Sequence, residues 1–160
     1  MFQLPDGTVL IIGGYTTWPT PTAALSPDGK RVVLNAVDSD GRRNLFVYDL
    51  ASGVRTSLLS SAPAKIASGG PLWTPDGNNI LFTSARDVMG PKIILVPSDG
   101  SRHPRDSLTG NVGQMSPQGN LVAYTLPNDN GTFRTCYAPF SDAELEEKCG
   151  NAPVRAVCVS

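Results

Sequence analysis

One four-residue corner recurs along the chain and constrains the fold more than any other feature. Ser26-Pro27-Asp28-Gly29 returns as Thr74-Pro75-Asp76-Gly77 and, altered, as Ser116-Pro117-Gln118-Gly119, at steps of 48 and 42 residues. Proline presets φ at the first central position, aspartate bonds the backbone ahead of it, and glycine supplies the positive φ that ends the turn. Pro27, Asp28, Gly29, Pro75, Asp76, Gly77, Pro117 and Gly119 are therefore expected to be structural turn residues. Each corner is followed by an apolar, β-forming run: Arg31-Val32-Val33-Leu34, Asn79-Ile80-Leu81-Phe82 and Leu121-Val122-Ala123-Tyr124. A repeat of this kind builds its core by stacking like units.

The register extends beyond the corners. Gly41, Gly90 and Gly131 lie 12, 13 and 12 residues past the first glycine of each unit and mark a second turn. A further strand follows at Leu45 to Leu50, at Ile93 to Pro97 and at Arg134 to Pro139. Ser52-Gly53 and Asp99-Gly100 mark a third turn in the first two units, leading to outer strands near Val54 to Leu59 and Arg105 to Thr109. Four short strands per unit, joined by hairpins at this period, are the footprint of a β-propeller blade. Sixteen Gly and fourteen Pro dispersed along the chain agree with many tight turns.

The corners and the strands after them resemble the TolB-like or WD-like β-propeller repeat. The likeness is closest at Leu25-Ser26-Pro27-Asp28-Gly29-Lys30-Arg31-Val32 and at Leu72-Trp73-Thr74-Pro75-Asp76-Gly77, and it extends to about Tyr137. The expected fold is all-β: a partial β-propeller of about three to four antiparallel four-stranded blades forming an unclosed arc, because propellers close with four to eight sheets.

Phe2-Gln3-Leu4-Pro5-Asp6-Gly7 aligns with Leu95 to Gly100, so 1–17 is expected to end a preceding blade. Blades then follow at 18–66 and 67–110, a degenerate one at 111–150, and the start of a next blade at 151–160. In the third unit Gln118 replaces aspartate, and the acidic stretch Asp142 to Glu147 suits a short helix, which puts a fourth strand there in doubt. An alternative geometry is a compact four-bladed ring, with 1–13 and the C-terminal strands sharing one blade. Of the three cysteines, Cys136, Cys149 and Cys158, the first two could form a disulfide, or could be buried small residues.

The composition narrows the function classes. Thirteen Lys and Arg against fourteen Asp and Glu leave a formal net charge of −1, with short basic clusters such as Arg42-Arg43 and Arg102 to Arg105, so no nucleic-acid partner is expected. Apolar runs such as Val9 to Ile12 and Ile93 to Val96 are too short for membrane insertion, and Met1 opens onto Pro5-Asp6-Gly7 rather than an export leader.

No catalytic constellation is expected. His103 is the single histidine, set in a polar turn, and no G-x-S-x-G elbow is present. No phosphate loop appears, so no cofactor is expected, and the cysteines lack zinc-site spacing. Asp38-Ser39-Asp40-Gly41 hints at calcium, but Arg42 and Arg43 stand where an EF-hand loop wants a ligand and a glycine; a polar hairpin turn is the better reading, and no metal is expected. Asn130-Gly131-Thr132 is a formal glycosylation sequon, relevant only to a eukaryotic secreted protein. Trp18 and Trp73 precede the corners, where core or inter-blade packing is expected of them.

These features suggest a non-catalytic scaffold for protein or peptide binding, part of a larger protein. By the resemblance alone, its setting would be periplasmic or extracytoplasmic. The alternative is the propeller portion of a prolyl-oligopeptidase-like serine peptidase whose catalytic domain is missing. An open arc would also self-associate through its blade edges and faces.

Overall fold

In the computed structural model the described residues are 2–3, 9–10, 23–37, 40–41, 43–60, 70–84, 90–128, 131–140 and 157–159, the backbone alone at 2–3, 9–10 and 157–159. They form β-strands and turns, with no helix among the described residues. Strands β1 (Phe2–Gln3) and β2 (Val9–Leu10) pair with each other. The first four-stranded sheet runs β3 (Ala23–Leu25), β4 (Arg31–Val37), β5 (Arg43–Asp49), β6 (Arg55–Ser57) in chain order. The second runs β7 (Leu72–Trp73), β8 (Asn79–Ser84), β9 (Lys92–Pro97), β10 (Arg105–Thr109), again in chain order. The third contains β11 (Asn111–Met115), β12 (Leu121–Pro127), β13 (Phe133–Pro139) and β14 (Val157–Val159). All pairings are antiparallel, the meander expected of propeller blades.

The three corners are the β3–β4, β7–β8 and β11–β12 turns, and each is built alike. Ser26, Thr74 and Ser116 accept the N–H of Gly29, Gly77 and Gly119 on their carbonyls at 2.8 to 2.9 Å. Their hydroxyl oxygens accept the N–H of Arg31, Asn79 and Leu121 at 2.9, 3.0 and 3.1 Å. In the first two corners the hydroxyl donates to the aspartate, whose carboxylate also accepts the N–H of Lys30 or Asn78. Gln118 does not take this part, and the Ser116 hydroxyl donates instead to Asn120 Oδ1 at 2.9 Å.

Strand alternation assigns the core. Ile80, Phe82, Ile94 and Val96 of the second sheet pack with Val33, Leu45, Val47, Leu58 and Leu59 of the first. Leu81, Ile93, Leu95 and Leu108 turn to the opposite side and pack with Met115, Val122, Tyr124, Cys136, Ala138 and Phe140 of the third. The second sheet is thus covered on both faces, and all six residues of β8 are buried. The outward face of the third sheet differs: Leu121, Phe133 and Tyr137 are 37%, 64% and 41% exposed.

Two expectations change at the chain ends. Residues 157–159 do not begin a further sheet but pair with β13, Cys136 standing opposite Cys158, and so supply the fourth strand that the sequence pattern of the third unit leaves in doubt. The free edge of β13 offers unpaired backbone groups that β14 satisfies. With β1–β2 and β14 in different sheets, the described strands do not share the blade that the compact ring required. Cys136 is fully buried and disulfide-bonded; Cys149, one partner it could take, lies outside the described residues, as does the acidic stretch 142–147.

Candidate functional site

Arg31 opens β4 directly after the first corner and shares with Val33 the face turned to the second sheet, so a cation stands at the edge of an otherwise apolar interface. It is satisfied by the neighbouring sheet. Its Nη1 donates to Ser98 Oγ and its Nη2 to the Gly77 carbonyl, both at 2.9 Å, and the guanidinium lies 4.9 Å from the centroid of the Trp73 ring. Ser98 Oγ donates to the same Gly77 carbonyl at 2.9 Å. Trp73 is itself 5% exposed, and its Nε1 donates to Ala24 O of the first sheet at 2.9 Å. Trp73 thus does the inter-blade packing expected of it; Trp18 lies outside the described residues.

Beside this latch opens a cleft of about 570 Å³ whose wall includes Arg31, Asn79, Ser98, Asp99, Arg102 and Arg105. It lies where the second corner meets the β9–β10 turn, held together by the Asn79–Pro97 pairing and by Ser98 N–H donating to Asn78 O at 2.8 Å. Ser101, by its side-chain hydroxyl first and its backbone N–H second, keeps the Asp99 carboxyl below the ordinary carboxylate range. Hydrogen bonds do the same for Asp28, chiefly from the Ser26 hydroxyl, with Arg31 adding a smaller through-space contribution. At Asp76 burial pushes upward, but the hydrogen bonds from Thr74 and Asn78 outweigh it and the carboxyl titrates low.

All eight corner residues sit in the three turns, and the glycines Gly29, Gly77 and Gly119 have φ of 70°, 71° and 73°. The corners approach one another: Pro27 lies beside Gly77 and Pro75 beside Gly119. What the repeat pattern missed is Arg31, seen only as the start of a strand, together with the cleft it borders. The signal was available: a cation at an inward strand position, and the Arg102 to Arg105 run one turn away.

His103 is exposed in that loop. Among the described residues no group of three or more His, Cys, Asp or Glu could hold a metal ion, and no helix is long and apolar enough to cross a membrane. Asp38, Ser39 and Arg42 of the calcium-like turn, and Asn130 of the sequon, lie outside the described residues.

No family model matches the chain. Over 69 residues it is 29% identical to the Tol-Pal system protein TolB of Alcanivorax borkumensis, covering 43% of this chain and 15% of that protein. The solved structure of TolB from Acinetobacter baumannii superposes with a TM-score of 0.61 at 20% identity, covering 86% of this chain and 34% of the other. A chain assigned as TolB from Agrobacterium tumefaciens superposes with a TM-score of 0.59 at 24% identity, covering 72% of this chain and 44% of the other. The fold is therefore TolB-like, an unclosed run of β-propeller blades, and the chain spans only a minor part of the length of each of these relatives.

Proposed function

We propose, from the premise of a TolB-like propeller fold, that this chain is a non-catalytic scaffold that binds a protein or peptide, and that it belongs to a larger propeller protein of the bacterial periplasm. The observation that carries the binding role is the polar cleft between the first two sheets. Its wall is held by the Arg31 latch to Gly77 and Ser98, so a ligand meets a preorganised surface and little ordering entropy is lost on binding. Propeller loops commonly carry such sites because the stacked sheets beneath them are rigid. The relatives' greater length supports membership of a longer protein, the likeness to a Tol-Pal system protein supports a protein partner, and the periplasmic setting rests on the family resemblance of the repeat alone. The exposed apolar face of the third sheet gives the chain a second, weaker association surface.

Selection of a displayed random-peptide library on the whole chain tests the binding role. Enriched peptides that bind saturably in fluorescence anisotropy support it, whereas a library that yields no enriched sequence overturns it.

A further inference from the structure

The cleft carries a charge that the chain as a whole does not. Three guanidinium groups, of Arg31, Arg102 and Arg105, line it against the single carboxylate of Asp99, while the full chain has a formal net charge of −1. Arg31 is the fixed member of this set. Its two hydrogen bonds go to uncharged acceptors, Ser98 Oγ and Gly77 O, and the carboxylates of Asp28 and Asp49 act on it through space from outside the cleft wall. A guanidinium has five N–H donors, of which these bonds use two, and the Trp73 ring 4.9 Å from its centre helps to fix its place. Such a fork matches a carboxylate, which it can receive through two parallel hydrogen bonds. Arg102 is exposed on the wall of the cleft.

We propose that this cleft takes an aspartate- or glutamate-bearing segment of a protein partner, with Arg31 receiving a carboxylate and Arg102 and Arg105 surrounding it with positive field. This rests on the binding-module reading and names the chemistry of its ligand. A cavity of about 570 Å³ lies within the range of sites that enclose a small group of atoms, unlike the long basic groove that tracks a nucleic-acid backbone. The net charge and the sequence pI of 5.7 also disfavour a polyanion at long range.

The test uses fluorescence anisotropy of the whole chain with three labelled probes: a decapeptide alternating Gly and Glu, its Gly and Gln counterpart, and a single-stranded oligonucleotide of matching charge. The acidic peptide is expected to bind at least tenfold tighter than the other two, and to weaken several-fold when salt is raised to 0.5 M. Arg102→Glu should weaken it at least tenfold while the thermal midpoint is unchanged, because Arg102 is exposed in a loop. Arg105→Gln is expected to weaken it as well. Equal binding of the Gln peptide, tighter binding of the oligonucleotide, or indifference to Arg102→Glu overturns the inference. If the displayed library yields peptides without acidic residues, the binding module stands and this inference falls. If it yields none, both fall.

Discussion

The ring of Pro75 packs onto the backbone of Gly119: a Cβ placed on that glycine would lie 2.6 Å from Pro75 Cγ and 3.0 Å from Cδ. The second corner is thus seated on the third, as Pro27 is beside Gly77 one interface earlier, where a Cβ would stand 3.8 Å from Pro27 Cδ. The repeated tetrapeptide does two jobs, turning the chain within one sheet and setting the approach of the next.

Gly119→Ala is therefore expected to destabilise more than Gly29→Ala. Both force alanine into the left-handed region, at about 1–2 kcal/mol, but nothing stands within 4 Å of a Cβ at Gly29. At Gly119 the collision with a rigid proline ring adds roughly 1–3 kcal/mol. Urea denaturation of both variants, with Pro75→Ala in the Gly119→Ala background, checks this; equal losses, or no recovery in the double variant, would contradict it.

Arg31→Gln removes two hydrogen bonds to the second sheet and the contact with Trp73. A hydrogen bond to a charged group contributes about 1.5–3 kcal/mol net of water, and a typical neutral one about 0.5–1.5; since the glutamine amide can keep one neutral bond, a loss on the order of 2 kcal/mol or more is expected. Arg55, exposed with its guanidinium 4.8 Å from the Phe46 ring, is the comparison. Arg55→Gln should cost about 0.5–1 kcal/mol. Chemical melts showing the two variants equally destabilised would mean that the latch contributes nothing beyond a ring contact.

Asp76 predicts an acid limb. Its carboxyl titrates below the ordinary carboxylate range in the folded chain because, although burial opposes this, Thr74 and Asn78 donate to it. A depressed folded pKa gives stability that is present above the unfolded value and is lost as pH falls through the folded one. Thermal midpoints should therefore drop from about pH 4 downward, and Asp76→Asn should flatten that limb while lowering the midpoint at pH 7. An unchanged slope in the variant would show that this carboxylate is not responsible.

Reduction of the Cys136 disulfide should lower the stability of the third sheet. A crosslink of this kind typically contributes about 2–4 kcal/mol by restricting the unfolded chain. Melts with and without dithiothreitol, repeated on Cys136→Ala, check it: the reductant should shift the parent chain and leave the variant unmoved.

The outward face of the third sheet exposes Phe133 at one end of the β12–β13 pair and Tyr137 with Leu121 towards the other, all on the same side of the strands. Self-association through this face is expected in sedimentation velocity and should diminish in Phe133→Ser and Tyr137→Ser. A parent chain that stays monomeric at high concentration would remove the prediction.

The strands after each corner and their order within a blade were legible in the sequence because both depend on local physics. A turn needs proline, a hydrogen-bonding side chain and a left-handed glycine within four residues, and the strands beside it alternate with period two. The position of β14 was not legible, since residues 140–156 stand where the other sheets have a short turn and the period lapses. The cleft was hidden for a related reason. Arg31, Gly77 and Ser98 are 46 and 67 residues apart in the pairs that join them, and no local pattern relates them. By itself the sequence determined the repeating turn and the four-stranded unit. Tertiary structure alone decided which faces meet, which cation lies between them and what charge the cleft presents, because these follow from stacking one sheet on the next.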